Sequence, residues 1–198
     1  RHNFAFYADV AMNATDAEHR KIANDQMYEM MLDVLESQNV HQLGLDSIEW
    51  IFNITPPDSS FNLVSWQLKL KEGESHYSNF IILPSGEYFE LKSGDDDLLI
   101  DAEYATFYSD ECLSMLYFRV EPIENKKEKN KSYMLFGYKE FSKFENIKVI
   151  DILTFEDGKP VFGKEIFQTI DGYGNEAKKS RLVLRYANDA NVHFRYES

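Results

Sequence analysis

The aspartates at positions 95, 96, 97 and 101 are the first residues in the chain whose type and spacing could do chemistry. Calcium takes about six to eight oxygen ligands, and clustered carboxylates supply them. This run lacks the alternating spacing and central glycine of a known calcium loop, and adjacent side chains seldom point at one ion. We therefore interpret the run as a solvated acidic loop, and we keep Asp95, Asp97 and Asp101 as the candidates for a metal site.

Three aromatic residues are candidates for ligand binding, because aromatic rings can stack on sugar rings. Trp50 and Trp66 lie in apolar runs, and Tyr173 lies between two glycines in a predicted loop. Apolar flanks are typical of core residues, so we favour core positions for both tryptophans over a sugar-binding face. A carboxylate pair for glycoside hydrolysis requires a defined separation, which a sequence does not give.

Signatures of common enzyme classes are missing from the chain. The sequence has no G-x-S-x-G, no P-loop and no G-x-G-x-x-G motif. Its five histidines form neither H-x-x-x-H nor H-E-x-x-H. The single cysteine, Cys112, lies in an apolar stretch that favours a buried, unreactive thiol. We expect Arg181, Arg185 and Arg195 to pair with acidic side chains across strands. We therefore predict no catalytic residue, no metal and no cofactor.

The charge of the chain restricts its partners. The 198 residues carry a formal net charge of −13. Nucleic acid and anionic lipid both require a surplus of Lys and Arg on some face, so we predict neither as a partner. No run of apolar residues is long enough for a transmembrane helix. The chain begins at Arg1 and not at Met, which fits either a processed precursor or a shortened chain.

The N-terminal part, residues 1–44, predicts one helix. Thr15, Asp16, Ala17 and Glu18 match a capping box, in which the end side chains satisfy free backbone N–H groups. Apolar residues then recur at steps of three and four, which predicts an amphipathic helix over about residues 15–38 that packs on a sheet. Residues 2–12 are rich in aromatic residues and are interpreted as a first strand or an extended segment.

Residues 45–198 predict antiparallel β structure. Residues 132–139, 147–155 and 161–167 are apolar runs joined by short connections, and Asp157-Gly158 between the last two predicts a hairpin turn. Connections this short require antiparallel pairing. We expect one domain of α+β class over residues 1–198. Its antiparallel sheet would have about nine strands and curl into a barrel or a sandwich.

A series of motifs in this region resembles a family of uncharacterised exported proteins of Bacteroidetes. The series is YMLFGY, KVIDILTF, GKPVFGKEIF and RLVLRYA, preceded by PPDSSFNLVSWQL and by CLSMLYFRV. The last of these departs from the family pattern at Cys112, Leu113 and Ser114. The resemblance spans residues 45–196 and implies export to the periplasm or cell surface after removal of a signal segment. It implies no activity and no catalytic residues.

Three functions remain open on these observations. The leading hypothesis is an exported, non-enzymatic binding or interaction domain whose partner is a small molecule, a glycan or an envelope protein. The first alternative is a cell-envelope hydrolase that uses carboxylates from separate strands. The second is a structural component of the envelope. A pocket that holds two converging carboxylates would favour the hydrolase.

Overall fold

The computed structural model describes residues 2–37, 44–94, 96–124, 131–170, 173–190 and 192. Two helices come first, and twelve strands follow. The helices are α1 (His2–Asn13) and α2 (Ala17–Glu36). The strands are β1 (Ile51–Ile54), β2 (Asn62–Lys71), β3 (Glu74–Ile82), β4 (Tyr88–Glu90), β5 (Phe107–Tyr108), β6 (Leu116–Ile123), β7 (Ser132–Glu140), β8 (Glu145–Glu156), β9 (Lys159–Phe162), β10 (Phe167–Ile170), β11 (Glu176–Lys179) and β12 (Leu182–Ala187). Short 3₁₀ helices cover Leu45–Ser47 and Asp96–Leu99.

The first segment is a helix, so the prediction of a strand over residues 2–12 was wrong. Phe4, Ala8 and Ala11 are buried, and their spacing of four and three places them on one helical face. The aromatic content had suggested a strand, but the alanines are strong helix formers and decide the outcome. α1 packs against α2, which makes two N-terminal helices where one was expected.

The second helix confirms the predicted amphipathic element, although it begins at Ala17, two residues later than predicted, and Thr15 is not its cap. The N-cap is Asp16, whose carboxylate accepts from the Glu18 N–H at 2.8 Å. The buried stripe consists of Ala23, Met27, Met31 and Leu35. These side chains lie in one cluster with those on the facing side of the first sheet, so the methionines belong to the core between helix and sheet.

The first sheet has the order β1-β2-β3-β4 and is antiparallel throughout. Its central strand β2 is buried on both faces. Val64 and Trp66 face the helices, whereas Leu63 faces the second sheet. β2 therefore separates two apolar layers, and it does not have one buried and one exposed face.

The second sheet has the order β5-β9-β8-β7-β6, and β12 also pairs with β8. The predicted hairpin is confirmed: β8 and β9 pair up to Glu156 and Lys159, and Asp157 and Gly158 adopt φ angles of 50° and 80°. Positive φ at both turn residues matches the right-handed twist of the strands. β10 does not belong to this sheet and pairs with β11 in a separate two-stranded ribbon.

The α+β class and antiparallel pairing are thus confirmed, and two details are corrected. The described strands form separate open sheets, not a closed barrel, with the helices covering one face of the first sheet. Twelve strands are present where about nine were expected. β4, β5, β9 and β11 have two to four residues each, too few to show an alternating pattern. Neither helix of the described residues is long and apolar enough to cross a membrane.

Candidate functional site

A cavity of about 460 Å³ opens at one end of the first sheet. Its position follows from the pairing register of β1, β2 and β3, in which Ile54 lies opposite Leu63 and Asn62 lies opposite Ile82. The last residues of β1 and β3 and the first residues of β2 therefore meet at the same end. The end of α2 and residues 44–46 close the cavity on the helix side. Its volume lies within the range of about 300–1,000 Å³ that is usual for small-molecule sites.

The apolar wall of the cavity comes from four parts of the chain. Its members are the aliphatic and aromatic residues Leu35, Leu45, Phe61, Ile82, Leu83 and Pro84. Leu35, Leu45 and Phe61 are each no more than 3% exposed. Because these side chains are held by the two core clusters, this wall is preformed, and an apolar ligand does not have to organise it.

The polar side of the cavity contains two amides, two hydroxyls and one carboxylate. These belong to Asp46, Asn53, Thr55, Ser59 and Asn62. Asn62 donates to Thr55 Oγ1 at 2.9 Å, and Asn53 Nδ2 donates to Asp46 Oδ1. A carboxylate only accepts hydrogen bonds, so it fixes the orientation of the Asn53 amide.

One amide oxygen at this site is left unpaired. Asn53 Oδ1 is buried and has no hydrogen-bond partner among the described residues. A buried acceptor without a donor costs about 1–3 kcal/mol. Such orphaned groups are rare in native structures, and this one is enclosed within the polar wall and does not lie on the open surface of the cavity.

The loop between β1 and β2 forms one wall and contains a strained residue. Ser59 has φ 54°, in the left-handed region that side chains other than glycine rarely adopt. Its N–H donates to Pro56 O at 2.9 Å. Non-glycine residues persist in this conformation only where their surroundings hold them, and they cluster at binding and catalytic sites.

Four side chains hold this loop against the second sheet, and we call them the loop clamp: Asp58, Ser60, Lys131 and Tyr133. Asp58 Oδ2 accepts from Lys131 Nζ and Tyr133 Oη, each at 2.8 Å, and Oδ1 accepts from Ser60 Oγ at 2.7 Å. Ser60 Oγ also lies 2.6 Å from Tyr133 Oη. The clamp flanks Ser59 on both sides, so it fixes the position of the cavity wall.

The clamp determines the ionisation of Asp58. Burial by itself raises the pKa of this carboxyl, but hydrogen bonds from Lys131, Ser60 and Tyr133 outweigh it and hold the pKa well below its usual range. The native state therefore binds fewer protons here than the unfolded state does in acid. The stabilisation is fully present above the unfolded pKa of about 4 and is lost as the pH falls below it.

We expect Asp58→Asn to flatten the decline in stability between about pH 5 and pH 2. The measurement is urea unfolding at a series of pH values. Tyr138→Phe is the matched control, because Tyr138 Oη bonds to the Asn146 amide and to no carboxylate. An Asp58→Asn profile parallel to that of the unaltered chain would contradict the role assigned to the clamp.

The described lining of the cavity contains one ionisable side chain. Among the described residues that line it, Asp46 is the single carboxylate, and none is His, Cys, Lys or Arg. General acid–base hydrolysis by carboxylates needs a pair at a defined separation. The arrangement of one acid, several neutral polar groups and an apolar wall is typical of a binding pocket.

The two predicted tryptophans lie outside this cavity. Trp66 is 1% exposed, stacks on Phe80 with ring centroids 5.7 Å apart, and donates from Nε1 to Asn24 Oδ1 at 2.9 Å. It is a core residue between sheet and helices. Trp50 is 36% exposed in the turn before β1. The structure does not bring the two indoles together on one surface.

The other predicted site residues are not among the described residues that line the cavity. Tyr173 is 94% exposed in the connection between β10 and β11. Asp95 and the side chain of Asp97 lie outside the described residues, and Asp101 is exposed in a bend. Within the described part of the chain, no three potential ligand side chains are grouped so that they could hold a metal ion.

A second group of titratable side chains is buried in the core: Cys112, Tyr117, Asp151 and Arg181. Burial raises the pKa of the Cys112 thiol to about 12, which keeps it protonated and confirms the predicted buried thiol. Burial also raises the pKa of the Asp151 carboxyl, and the Arg181 guanidinium limits that rise. Arg181 Nε lies 3.0 Å from Asp151 Oδ2, so the predicted pairing is confirmed for this arginine.

The same pairing was predicted for Arg185 and Arg195. The Arg185 guanidinium lies 4.9 Å from the centre of the Phe141 ring, which is a cation–π contact rather than the ion pair that was expected. Arg195 lies outside the described residues. All four members of the second group are buried, and none is among the described residues that line the cavity, so we assign the group to the core.

The residues of the cavity were not recognised in the sequence. Asp46 and Asn53 belong to no motif, and Asn62 lies in the PPDSSFNLVSWQL segment, which was quoted for the resemblance and not as a site. Protein-family models, curated proteins and solved structures contain no match to this chain. The function is therefore argued from the geometry of the site.

Proposed function

We propose that this protein is a non-enzymatic binding domain that holds a small molecule in the cavity at the end of its first sheet. The observation that carries the proposal is the combination of a preformed apolar wall with a polar side on which Asp46 is the one charged group among the described lining residues. Ligand sites are concave, mostly apolar and have few polar groups that orient the ligand. We further propose that the protein is exported, on the basis of the motif series in residues 45–196.

The hydrolase alternative is less well supported by the same cavity. It requires two carboxylates that converge on one bond, and the described lining residues supply only Asp46. The strongly perturbed Asp58 is fully engaged by the loop clamp and is not free to accept a proton. A glycan partner would need an exposed aromatic platform, and Trp50 and Trp66 do not form one.

The proposal is tested with a library of small molecules and the change in melting temperature. A ligand that binds only the native state stabilises it by mass action, so a binder raises the melting temperature in a concentration-dependent way. Thr55→Trp places an indole at the mouth of the cavity. We expect it to abolish the rise for every binder found.

Thr106→Trp is the matched control, because Thr106 is likewise exposed and is not part of the cavity lining. We expect this variant to keep the full response to each binder. Binders whose effect survives Thr55→Trp as well as Thr106→Trp would place the binding site elsewhere and contradict the proposal.

A further inference from the structure

We infer that the ligand is a small organic cation, with an ammonium group at Asp46 and a hydrocarbon part against the apolar wall. This inference rests on the proposed binding function and adds the chemical class of the ligand. It follows from the charge of the lining, from the donors that the polar side needs and from the shape of the apolar side.

The first argument is the charge of the lining. Asp46 is the one charged side chain among the described residues that line the cavity. No lysine or arginine of the described residues forms an ion pair with it. An anionic ligand would meet this carboxylate without a compensating cation, whereas an ammonium group would gain a charge-assisted hydrogen bond.

The second argument is the supply of hydrogen-bond donors. Asp46 Oδ1 accepts a single amide proton from Asn53, and a carboxylate has about four acceptor sites. An ammonium group carries about three N–H donors and no acceptor. It can therefore donate to the acceptor sites of Asp46 that Asn53 does not use, which a carboxylate or an ether cannot do.

The third argument is the position of the apolar wall relative to Asp46. Leu45 adjoins Asp46 in the sequence and is 3% exposed, and Leu35 and Ile82 continue the apolar surface from it. An alkyl chain attached to the ammonium group would remove this surface from water. Burial of its methylene groups is favourable, so the hydrocarbon part supplies affinity and Asp46 supplies selectivity.

The net charge of the whole chain acts in the same direction. At −13 the protein attracts cations and repels anions over distances of about a Debye length. This field also favours cations that bind elsewhere on the surface, so the experiment must separate a general attraction from recognition at Asp46.

The experiment compares hexylamine, hexanol and hexanoate, which carry a cationic, a neutral and an anionic head group. Dissociation constants are measured by calorimetry with the unaltered chain. We expect hexylamine to bind most tightly and hexanoate most weakly, with hexylamine ahead of hexanol by about fivefold, as for a partly exposed ion pair. Increased salt should reduce the advantage of hexylamine over hexanol.

The variant Asp46→Asn tests whether the preference arises at this residue. We expect it to reduce the preference for hexylamine over hexanol by about fivefold. Glu49→Gln is the matched control. It removes one negative charge from an exposed residue close in sequence, and Glu49 does not line the cavity. This control should leave all three affinities unchanged, which separates recognition at Asp46 from the general field.

Each result of these binding measurements either supports or overturns the inference. A preference for hexylamine that disappears in Asp46→Asn and persists in Glu49→Gln supports the inference. Equal binding of hexylamine and hexanol, blocked by Thr55→Trp, would overturn the cationic class and leave the cavity as a binding site. Preferential binding of hexanoate, or no binding of hexylamine, would also overturn it. If Asp46→Asn fails to fold, the head-group series is repeated with Thr55→Trp, and a preference for hexylamine over hexanol that survives in this variant would overturn the inference.

Discussion

Replacement of Arg181 by Met is expected to lower the free energy of unfolding by about 3–5 kcal/mol. Arg181 is fully buried, pairs with Asp151, and donates from Nη1 to the carbonyl oxygens of Ala102 and Ala105. Its guanidinium also lies 4.4 Å from the centre of the Phe107 ring. The substitution leaves the Asp151 carboxyl buried without its partner, and desolvation of an unpaired charge is the main cost.

The matched control is Arg119→Met, which removes an arginine from the exposed pair with Glu121 at 2.7 Å. Exposed pairs contribute about 0.2–1 kcal/mol, so this variant should remain close to the unaltered chain in urea unfolding. The double variant Asp151→Leu with Arg181→Met should cost less than the sum of its single changes, because it removes both charges together. Equal losses for Arg181→Met and Arg119→Met would contradict the structural role of the buried pair.

Replacement of Trp66 by Ala is expected to cost about 3–5 kcal/mol. The indole is buried between the first sheet and the helices, where it stacks on Phe80 and meets Phe4 edge to face at 6.4 Å. The change creates a large cavity in this layer and removes the donor to Asn24. Thermal and urea unfolding both measure the loss.

Trp50→Ala is the control for the Trp66 prediction, since Trp50 is the only other tryptophan in the chain. It is 36% exposed, and truncation of a side chain at the surface typically changes stability by about 1 kcal/mol or less. If both variants lost the same stability, the helix layer would not pack on β2 as the structure shows.

The hairpin of β8 and β9 could be predicted from the sequence because its signals are local. Two apolar runs and the dipeptide Asp157-Gly158 specify the pairing without any distant contact. The helix α1 was missed because its buried face contains two alanines, Ala8 and Ala11, which carry little hydrophobic signal beside the aromatic residues of the same segment. In this segment, the amino-acid composition predicted the secondary structure less well than the spacing of the buried residues.

The cavity was not predictable, because its residues come together only through the register of distant strands. Asn53 and Asn62 lie on different strands, and Leu35 comes from a helix. None of them has a distinctive neighbour in the sequence. The sequence predicted that Arg181 pairs with an acidic side chain, but it did not identify Asp151 as the partner or show that the pair is buried. Burial of both residues depends on how β8, β12 and residues 102–105 pack.

The most direct test of the cavity as a binding site is a nuclear magnetic resonance titration of the unaltered chain with hexylamine. The side-chain amides of Asn53 and Asn62 and the backbone N–H of Leu83 report on its walls, and the side-chain amide of Asn188 reports on a distant part of the second sheet. We predict saturable shifts for the first three signals and none for Asn188. Shifts that spare Asn53 and Asn62, or that never saturate, would contradict a ligand site at the end of the first sheet.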